Sequence, residues 1–525
     1  MSVTTWQSLS SATRDLLFAY CLVVVPMLGI LLLRRAAFRH LLLAPVLAVF
    51  VTVLAAILWS GIRPALASTA APLGAAGLQT LGAAFFMALG VGAGFLTLRP
   101  QRRDAYKRGA IIEDRLSARR VSKSALTLAG VAIPELDETK HFKFIGTTGT
   151  DKSTAIRELL SGALARGDRV VLADPDAGYV DRFYSPAAGD LILNPFDARS
   201  RTWDLFAEIR QPYDVEQLSR SLIPDHEGSD RTWRSYGRTF LTAVARQLWE
   251  VGNSEPSVRN VAELYRLISI APADELRLLV AGTPAQPFLE SGNERMFGSV
   301  RSVTSAALAA LEHVAQQDAP TLSIRQWIRE GQGRSRVLYL PYQAGQISAL
   351  RSMISAWMRL AIFETMNGGE RDQRIWFIVD ELDALGQIDG LKDALARLRK
   401  FGGRCVLGFQ SIAQVSGTYG NAEAQTIVEN CGNTLILRCS ASEGGGTARF
   451  ASRLIGDREV VRPQVTRGRT GGWFDQPRHS VSRGEQHVTE AAVLPAEIEQ
   501  LPDLHGYLKV ASRPEWRRVE FALPQ

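Results

Sequence analysis

Residues 146–154 have the residue types and spacing of a phosphate-binding loop: Gly146, Thr147, Thr148, Gly149, Thr150, Asp151, Lys152, Ser153 and Thr154. Glycines allow backbone N–H groups to turn toward an anion, and the amino end of the following helix adds partial positive charge. In this pattern Lys152 reaches the β- and γ-phosphates of ATP, and the Ser153 hydroxyl binds Mg²⁺. The sequence therefore predicts ATP and Mg²⁺ as cofactors.

One position of the loop departs from the pattern, because Asp151 stands where a glycine normally precedes the lysine. A carboxylate at this position lies close to the phosphates and repels them. If the position needs a positive φ, aspartate also tolerates it less well than glycine does. The alternative interpretation is an ordinary strand-to-helix turn, so the motif locates a site and leaves its competence open.

A pair of acids follows an apolar run at residues 374–381, which ends in Asp380-Glu381. This is the pattern of a Walker B strand, in which Asp380 orients Mg²⁺ or its water and Glu381 polarises the attacking water. A buried strand that ends in two acids is common by chance, but less so beside a phosphate loop. Gln410 follows another strand, at 404–409, and is placed to sense a γ-phosphate.

The helix predicted at 391–401 carries Arg397, Arg399 and Lys400 near its end. These cations either complement the helix dipole, or one of them is an arginine finger that reaches the nucleotide of a neighbouring subunit.

Asp174 and Asp176 follow the strand predicted at 169–173. Ligands bind near the carboxyl ends of strands in open α/β sheets, so a role at the site is one interpretation. Turn carboxylates without a functional role are the other.

Apolar strands alternate with helical patterns on both sides of a long helical stretch. The predicted strands and helices are 142–145, 154 onward, 169–173, 191–193, 336–340, 352–366, 374–379, 404–409 and 434–439. This alternation predicts an α/β nucleotide-binding domain in two parts, residues 105–206 and 327–525. Residues 103–139 are expected to be a polar linker that enters the soluble part, and residues 462–486 to form a mobile Gly-, Arg- and Ser-rich loop.

Strand signals fade at residues 207–326, which predicts an inserted all-α domain. Its helices are expected at 229–251, 261–270 and 306–315. The first of them carries four arginines between its apolar positions: Arg231, Arg234, Arg238 and Arg246. They either contact DNA phosphates or form a solvated helix face.

Residues 1–104 are predicted to be a membrane anchor of two to three transmembrane helices. Apolar runs occupy 16–33, 41–59 and about 73–98, each near the length that spans a bilayer. Arginine clusters follow the first and third runs, which places both clusters, and the remainder of the chain, on the cytoplasmic side. In the two-span alternative, the first run lies at the membrane interface.

The 525 residues carry a net charge of +7, which suits a membrane surface or nucleic acid without proving either. The four cysteines show no metal-binding spacing. Cys405, Cys431 and Cys439 lie in apolar stretches, which favours buried thiols in a reducing compartment.

These motifs together resemble the coupling proteins of type IV secretion and bacterial conjugation, the TraD/TraG group. The resemblance covers nearly the whole chain and includes GTTGTDKS, NPFDARSRTWDLF, FIVDEL, LARLRKFGGRCVLGFQS and LPAEIEQLPDL. It implies an FtsK/HerA-type RecA-like domain with an inserted all-α domain, in an inner-membrane homo-hexameric ATPase. It also implies partners: single-stranded DNA bound without sequence preference, relaxase and relaxosome proteins, and channel components.

The resemblance implies roles for individual residues. Lys152 and Ser153 become the phosphate and Mg²⁺ contacts, and Asp380 and Glu381 the Walker B pair. Gln410 and Arg399 fall at a sensor-like glutamine and a finger-like arginine. Two departures are Asp151 in the loop and three apolar runs where two spans are usual.

Three hypotheses follow. The first is an ATPase that translocates single-stranded DNA for conjugation or type IV secretion. The second is a membrane docking platform for relaxase or effector that does not hydrolyse ATP, favoured by Asp151. An FtsK-like chromosome pump ranks last, because no long Pro/Gln-rich linker or terminal DNA-reading domain is visible.

Overall fold

The computed structural model describes residues 11–33, 38–69, 74–97, 105–113, 126–224, 230–330, 336–368, 374–442, 445–470 and 478–522. They fall into two compact units. One consists of residues 1–104 and 462–485, and the other of residues 105–461 and 486–525.

Three apolar helices open the chain: α1 (Ser11–Leu33), α2 (Phe38–Thr69) and α3 (Gly74–Thr97). Each is long and apolar enough to cross a membrane. Helix α1 packs closely on α3 at Gly90, where the missing side chain lets the two backbones approach. A Cβ added to Gly90 would lie 2.4 Å from the carbonyl oxygen of Val23. Side chains such as Phe18 and Phe50 point outward and are 60% and 69% exposed, as expected of lipid-facing positions. The arginines at 34, 35, 99, 102 and 103 lie outside the described residues.

Short elements lead from the anchor to the insertion. They are β1 (Ala105–Gly109), β2 (Ile111–Glu113), β3 (Thr127–Leu128), β4 (Val131–Ala132), α4 (Glu135–Glu138), β5 (Phe142–Ile145), α5 (Lys152–Ala165), β6 (Arg169–Pro175), α6 (Val180–Phe183), β7 (Leu191–Ile192) and β8 (Thr202–Trp203). The strands predicted at 142–145 and 169–173 are confirmed.

The inserted segment is helical, as predicted. Its elements are α7 (Pro212–Leu222), α8 (Arg231–Val251), α9 (Val261–Ser269), α10 (Ala273–Leu279), α11 (Glu294–Ala307) and α12 (Leu311–Ala315), followed by β9 (Thr321–Leu322). Strand β9 pairs in parallel with β8, which brings the two ends of the segment together. The helix expected at 306–315 is wrong: α11 ends at Ala307, and α12 is a separate short helix.

The remaining elements complete the nucleotide domain. They are α13 (Ile324–Glu330), β10 (Val337–Tyr342), α14 (Ile347–Asn367), β11 (Ile375–Val379), α15 (Leu391–Leu398), β12 (Gly403–Phe409), α16 (Ile412–Tyr419), α17 (Asn421–Asn430), β13 (Asn433–Ile436), α18 (Gly446–Ile455), β14 (Asp457–Thr470), β15 (Arg478–Ala491), α19 (Pro495–Glu499), β16 (His505–Lys509) and β17 (Glu515–Glu520).

The main sheet has 10 strands in the order β2-β17-β16-β13-β5-β12-β11-β6-β10-β7. From β13 to β7 every neighbouring pair is parallel. The ladder sets Phe409 beside Ile145, Val379 beside Leu407, and Val379 beside Ala173. The segments that follow β5, β12, β11 and β6 therefore meet at one edge of the sheet, where open α/β folds bind ligands.

Both faces of the parallel part of this sheet are buried, as expected for parallel strands covered by helices. Alternate residues of β6 and β11 face opposite cores, so Val171 and Phe377 lie in one and Leu172 and Trp376 in the other. The first core contains α14 and the inserted helices, and the second contains α5. The buried thiols of Cys405, Cys431 and Cys439 are free, as predicted.

Two expectations about irregular segments are wrong. The supposed linker contains β2, which pairs with β17 at the edge of the main sheet, and β1, which pairs with β14. The supposed mobile loop is extended strand at 462–470 and 478–486, within a sheet ordered β1-β14-β15, and 471–477 lie outside the described residues. Val465 and Thr466 favour strands, but the Gly, Arg and Ser residues around them conceal the pattern. The strands of the supposed linker pair with β14 and β17, which are too distant in the sequence to recognise.

Candidate nucleotide-binding site

The loop between β5 and α5 is held by neighbouring strand ends. The N–H of Gly146 donates to the carbonyl of Phe409 at 3.3 Å. Thr147 donates to the carbonyl of Arg438 from its N–H (3.0 Å) and its hydroxyl (3.2 Å). Thr150 turns back and donates to the carbonyl of Thr147 from its N–H (3.3 Å) and its hydroxyl (2.7 Å). The loop therefore has a defined shape without a ligand.

Gly149 and Asp151 both have left-handed backbone conformations, with φ of 77° and 63°. Glycine adopts this conformation freely, whereas an L-residue is destabilised by about 1 kcal/mol. The carbonyl of Asp151 accepts hydrogen bonds from the N–H groups of Thr154 (2.9 Å) and Ala155 (3.3 Å), so α5 begins directly after it. Aspartate thus preserves the backbone of the loop, and its carboxylate makes no capping hydrogen bond to α5.

The loop offers unpaired donors at the amino end of a helix. Within the described part of the chain, the N–H groups of Thr148, Gly149 and Asp151 donate to no protein acceptor. They precede α5, a helix of 14 residues whose dipole adds partial positive charge there. Thr154 differs, because its N–H is already bonded to Asp151. This arrangement fits a phosphate group.

Three side chains of the two motifs meet next to the loop. The Ser153 hydroxyl donates to Asp380 Oδ2 at 2.6 Å, and Lys152 Nζ lies 3.9 Å from Asp380 Oδ1. Asp380 is 4% exposed, and its Oδ1 is a buried oxygen that accepts no hydrogen bond from any residue the structure describes. A hydroxyl beside an unsatisfied carboxylate oxygen fits Mg²⁺, which prefers oxygen ligands. Among the described residues no three His, Cys, Asp or Glu side chains cluster as metal ligands, so water and nucleotide phosphates would complete the coordination.

Gln410 joins the loop to the second Walker B acid. Its side-chain amide donates to Glu381 Oε1, and its carbonyl oxygen accepts a bond from the Thr148 hydroxyl at 2.8 Å. Burial raises the pKa of Glu381, and the negative charge of Asp383 adds to the effect. The carboxylate that would orient a water and the amide that would sense a γ-phosphate are therefore in direct contact.

Two further residues belong to this edge. Tyr179 is buried, and its hydroxyl donates to Asp380 Oδ2 at 2.7 Å. Asp174 accepts hydrogen bonds from the N–H groups of Tyr179 (3.1 Å to each oxygen) and Val180 (2.8 Å). The pKa of Asp174 is raised to about 7, mainly by burial and also by the charge of Asp380. Asp174 was a candidate from the sequence, whereas Tyr179 was not, because no motif marks a tyrosine four residues beyond a strand end.

Arg399 lies apart from the other candidate residues of its own chain. Arg399 is exposed and starts a short 3₁₀ turn after α15. It precedes the amino end of β12, whereas Gln410 follows the carboxyl end of the same strand. His141, which precedes β5, marks the same amino edge: burial lowers its pKa to about 4, and the nearby charge of Arg399 contributes. The structure therefore assembles the loop, Asp380, Glu381 and Gln410, but not Arg399.

The assembled groups can perform phosphate chemistry. Backbone donors and Lys152 provide positive potential, Ser153 and Asp380 offer oxygen atoms of the kind that Mg²⁺ prefers, and Glu381 is a carboxylate beside them. This combination is the set used for phosphoryl transfer to water.

Comparisons with known proteins identify the family. The family model of the type IV secretion-system coupling protein DNA-binding domain matches residues 125–522. The chain is 30% identical over 393 residues to coupling protein TraD of Escherichia coli (strain K12), which covers 73% of this chain and 53% of that protein. It is 23% identical over 317 residues to type IV secretion system-coupling protein VirD4 of Bartonella henselae, covering 55% and 46%. The chain thus spans about half the length of the curated relatives it matches.

Solved structures show the same fold. The bacterial conjugative coupling protein TrwBdeltaN70 in an unbound form has a TM-score of 0.70 and 32% identity, covering 80% of this chain and 94% of that chain. The plasmid coupling protein TrwB in complex with ADP and Mg²⁺ has a TM-score of 0.69 and 32% identity, over the same shares. The predicted α/β nucleotide-binding fold with helical parts is confirmed, and the chain belongs to the family of type IV secretion-system coupling proteins.

Proposed function

We propose that this chain is an inner-membrane coupling protein that links a relaxase–DNA complex to a type IV secretion or conjugation channel. In this proposal ATP hydrolysis translocates single-stranded DNA. The observation that carries it is the meeting of Lys152, Ser153, Asp380 and Glu381 at one sheet edge. Family membership supports the coupling role, and the related TrwB structures contain ADP with Mg²⁺ or the ATP analogue ADPNP.

The proposed mechanism assigns each group one task. The free N–H groups of Thr148, Gly149 and Asp151 hold the phosphates. Lys152 contacts the β- and γ-phosphates, and Ser153 with Asp380 would hold the metal. When bound, Mg²⁺ supplies positive charge that stabilises the charge developing on the phosphates. Glu381 orients and polarises the attacking water. Gln410 contacts both Thr148 and Glu381, so a γ-phosphate that displaces its amide frees the Glu381 carboxylate for water.

Arg399 is proposed to act on the nucleotide of a neighbouring subunit. It is exposed at the amino edge of the sheet, so it is available to another protomer and remote from its own loop. An arginine supplied by a second subunit would stabilise negative charge during hydrolysis. This assignment requires a ring, and we propose the homo-hexamer that the family resemblance implies.

The domain assignments are also part of the proposal. Residues 1–104 would anchor the chain in the bacterial inner membrane through multiple spans, with the ATPase cytoplasmic. The three apolar helices and their close packing at Gly90 support three spans rather than two. Residues 105–206 and 327–525 would form the nucleotide domain.

Contacts with DNA are assigned to the insertion, residues 207–326. Helix α8 carries Arg231 and Arg234 near its amino end, and phosphate contacts there would be independent of sequence. Relaxase or relaxosome proteins and channel components complete the proposed partners.

Asp151 favours a second candidate function, a docking platform for relaxase or effector that does not hydrolyse ATP. The carboxylate of Asp151 lies at the amino end of α5, where it would repel phosphates. The backbone of Asp151 has a left-handed conformation that glycine would adopt without strain. The intact geometry of Ser153, Asp380, Glu381 and Gln410 favours hydrolysis over this alternative.

A mating assay tests the proposal. Lys152→Ala removes the phosphate contact and is expected to reduce transfer at least a hundredfold when the host's own copy is deleted. Lys392→Ala, which changes a lysine of α15 outside the loop, is the matched control and is expected to transfer normally. Full transfer by Lys152→Ala would reject the motor and leave the docking platform.

A further inference from the structure

Asp380 has two oxygens in unlike surroundings. Oδ2 accepts hydrogen bonds from the Ser153 hydroxyl at 2.6 Å and from the Tyr179 hydroxyl at 2.7 Å. Oδ1 is buried and accepts none, and Lys152 Nζ lies 3.9 Å from it. A carboxylate that rotates freely about its Cβ–Cγ bond can exchange the positions of its two oxygens. Two hydrogen-bond donors on Oδ2 prevent this exchange and leave Oδ1 for another ligand.

Tyr179 is itself held firmly. Its N–H lies 3.1 Å from both oxygens of Asp174, whose Oδ2 also accepts the N–H of Val180 at 2.8 Å. The ring is 1% exposed and lies in the apolar core beneath α5, with the guanidinium of Arg157 5.7 Å from its centroid. The direction of the hydroxyl is therefore fixed by the fold before any ligand binds.

Ser153 cannot define the orientation of Asp380 alone. In the proposed function the same hydroxyl oxygen binds Mg²⁺, so its position depends on the ion. The Tyr179 hydroxyl donates to the same oxygen but belongs to a different segment, between β6 and α6. It is the donor to Asp380 that does not depend on the metal.

We propose that Tyr179 is a positioning residue for the magnesium site, because its hydroxyl holds Asp380 by Oδ2 and so leaves Oδ1 available to a metal ion. Asp174 supports this role by holding the backbone of Tyr179. The inference rests on the proposed nucleotide and Mg²⁺ binding, and it adds the group that orients the Walker B carboxylate. Removing the hydroxyl is expected to weaken metal binding while leaving the phosphate cradle intact.

The test measures binding of a fluorescent ADP analogue to the full chain in detergent across a titration of Mg²⁺. Tyr179→Phe is expected to raise the Mg²⁺ concentration for half-maximal binding about tenfold, the size of one lost hydrogen bond to a charged group. Binding without Mg²⁺ is expected to stay within about twofold, since only the metal-holding group has changed.

Tyr342→Phe is the matched control. Tyr342 is also a buried tyrosine at a strand end of the same sheet, but within the described ranges its hydroxyl has no hydrogen-bond partner. Its removal should leave the Mg²⁺ requirement unchanged. An equal shift in both variants would show a general packing effect and overturn the proposal.

Other outcomes are equally decisive. An unchanged Mg²⁺ requirement in Tyr179→Phe overturns the positioning role, as does an equal loss of affinity with and without Mg²⁺. If the unsubstituted chain binds no nucleotide at any Mg²⁺ concentration, the proposed function fails and the inference fails with it. If Tyr179→Phe does not fold, Asp174→Asn is measured instead and should raise the Mg²⁺ requirement about threefold, by loosening Tyr179; no rise overturns the proposal.

Discussion

Gln410 donates a hydrogen bond to Glu381 across neighbouring strand ends, from β12 to β11. The contact neutralises no charge, because an amide carries none, but it directs one donor at the carboxylate. The other end of the amide accepts from Thr148 in the phosphate loop. The side chain of Gln410 therefore links the phosphate loop to Glu381 directly.

Glu381→Gln is expected to bind nucleotide and fail to hydrolyse it. The amide keeps the size of the side chain but cannot polarise water as a carboxylate does, so the hydrolysis rate should fall at least about a hundredfold. Nucleotide affinity should stay within about threefold, since Lys152 and Ser153 are unchanged. Glu497→Gln, at an exposed position of α19, serves as the control. Loss of binding along with hydrolysis would show that Glu381 acts in binding instead.

Arg399→Ala is expected to inactivate more than its own subunit. If Arg399 acts across a subunit boundary, each variant subunit removes the finger from a neighbour whose other catalytic groups are intact. The hydrolysis rate of mixed assemblies should then fall faster than the fraction of variant chains rises. Strict proportionality between rate and the unsubstituted fraction would argue against a shared site.

Ser355→Ala is expected to slow hydrolysis with little loss of stability. Ser355 lies on α14 and donates to the carbonyl of Leu385, in the segment that follows Glu381, at 2.5 Å. Loss of this bond should destabilise the fold by about 1 kcal/mol and loosen that segment. Thr365→Val is the control, because Thr365 donates only within α14, to Ala361 at 2.9 Å. If Ser355→Ala and Thr365→Val are equally stable and hydrolyse ATP at the same rate, the segment after Glu381 needs no support from α14.

Asp174 should make stability depend on pH. Its folded pKa is raised to about 7, so the folded state retains a proton that the unfolded chain releases near its ordinary pKa of 3.8. The resulting stabilisation is complete below that ordinary pKa and is lost as the pH rises through about 7. Between pH 5 and 8 the unfolding free energy should fall by about 3 kcal/mol relative to Asp174→Asn. Parallel pH profiles for the two proteins in chemical unfolding would contradict this.

The phosphate loop and the Walker B strand were predictable because each motif is local. Residues 146–153 and 374–381 carry their own periodicity and turn residues, so their place at strand ends followed from the sequence. In the structure the two motifs meet, since the carboxyl ends of parallel strands share one edge. The contact between Ser153 and Asp380 bears this out.

The parts that were missed depend on partners far away in the sequence. The pairing of β2 with β17 joins Ile111 to Glu515, and nothing near either residue marks that contact. Tyr179 is likewise defined by Asp380, some 200 residues later, rather than by its neighbours. Local propensity can indicate a strand or a turn, but not the group that it will meet.

The most direct test of the motor is ATP hydrolysis by the full chain with and without single-stranded DNA, beside Asp151→Gly. We expect the unsubstituted chain to hydrolyse ATP, DNA to stimulate it, and Asp151→Gly to be about tenfold faster, because glycine removes both a phosphate-repelling charge and the strain at φ of 63°. Asp176→Gly is the control. It relieves a similar backbone conformation, with φ of 55° in an exposed turn, and should leave the hydrolysis rate unchanged. If neither the unsubstituted chain nor Asp151→Gly hydrolyses ATP while both bind it, the chain is a docking platform and the motor is contradicted.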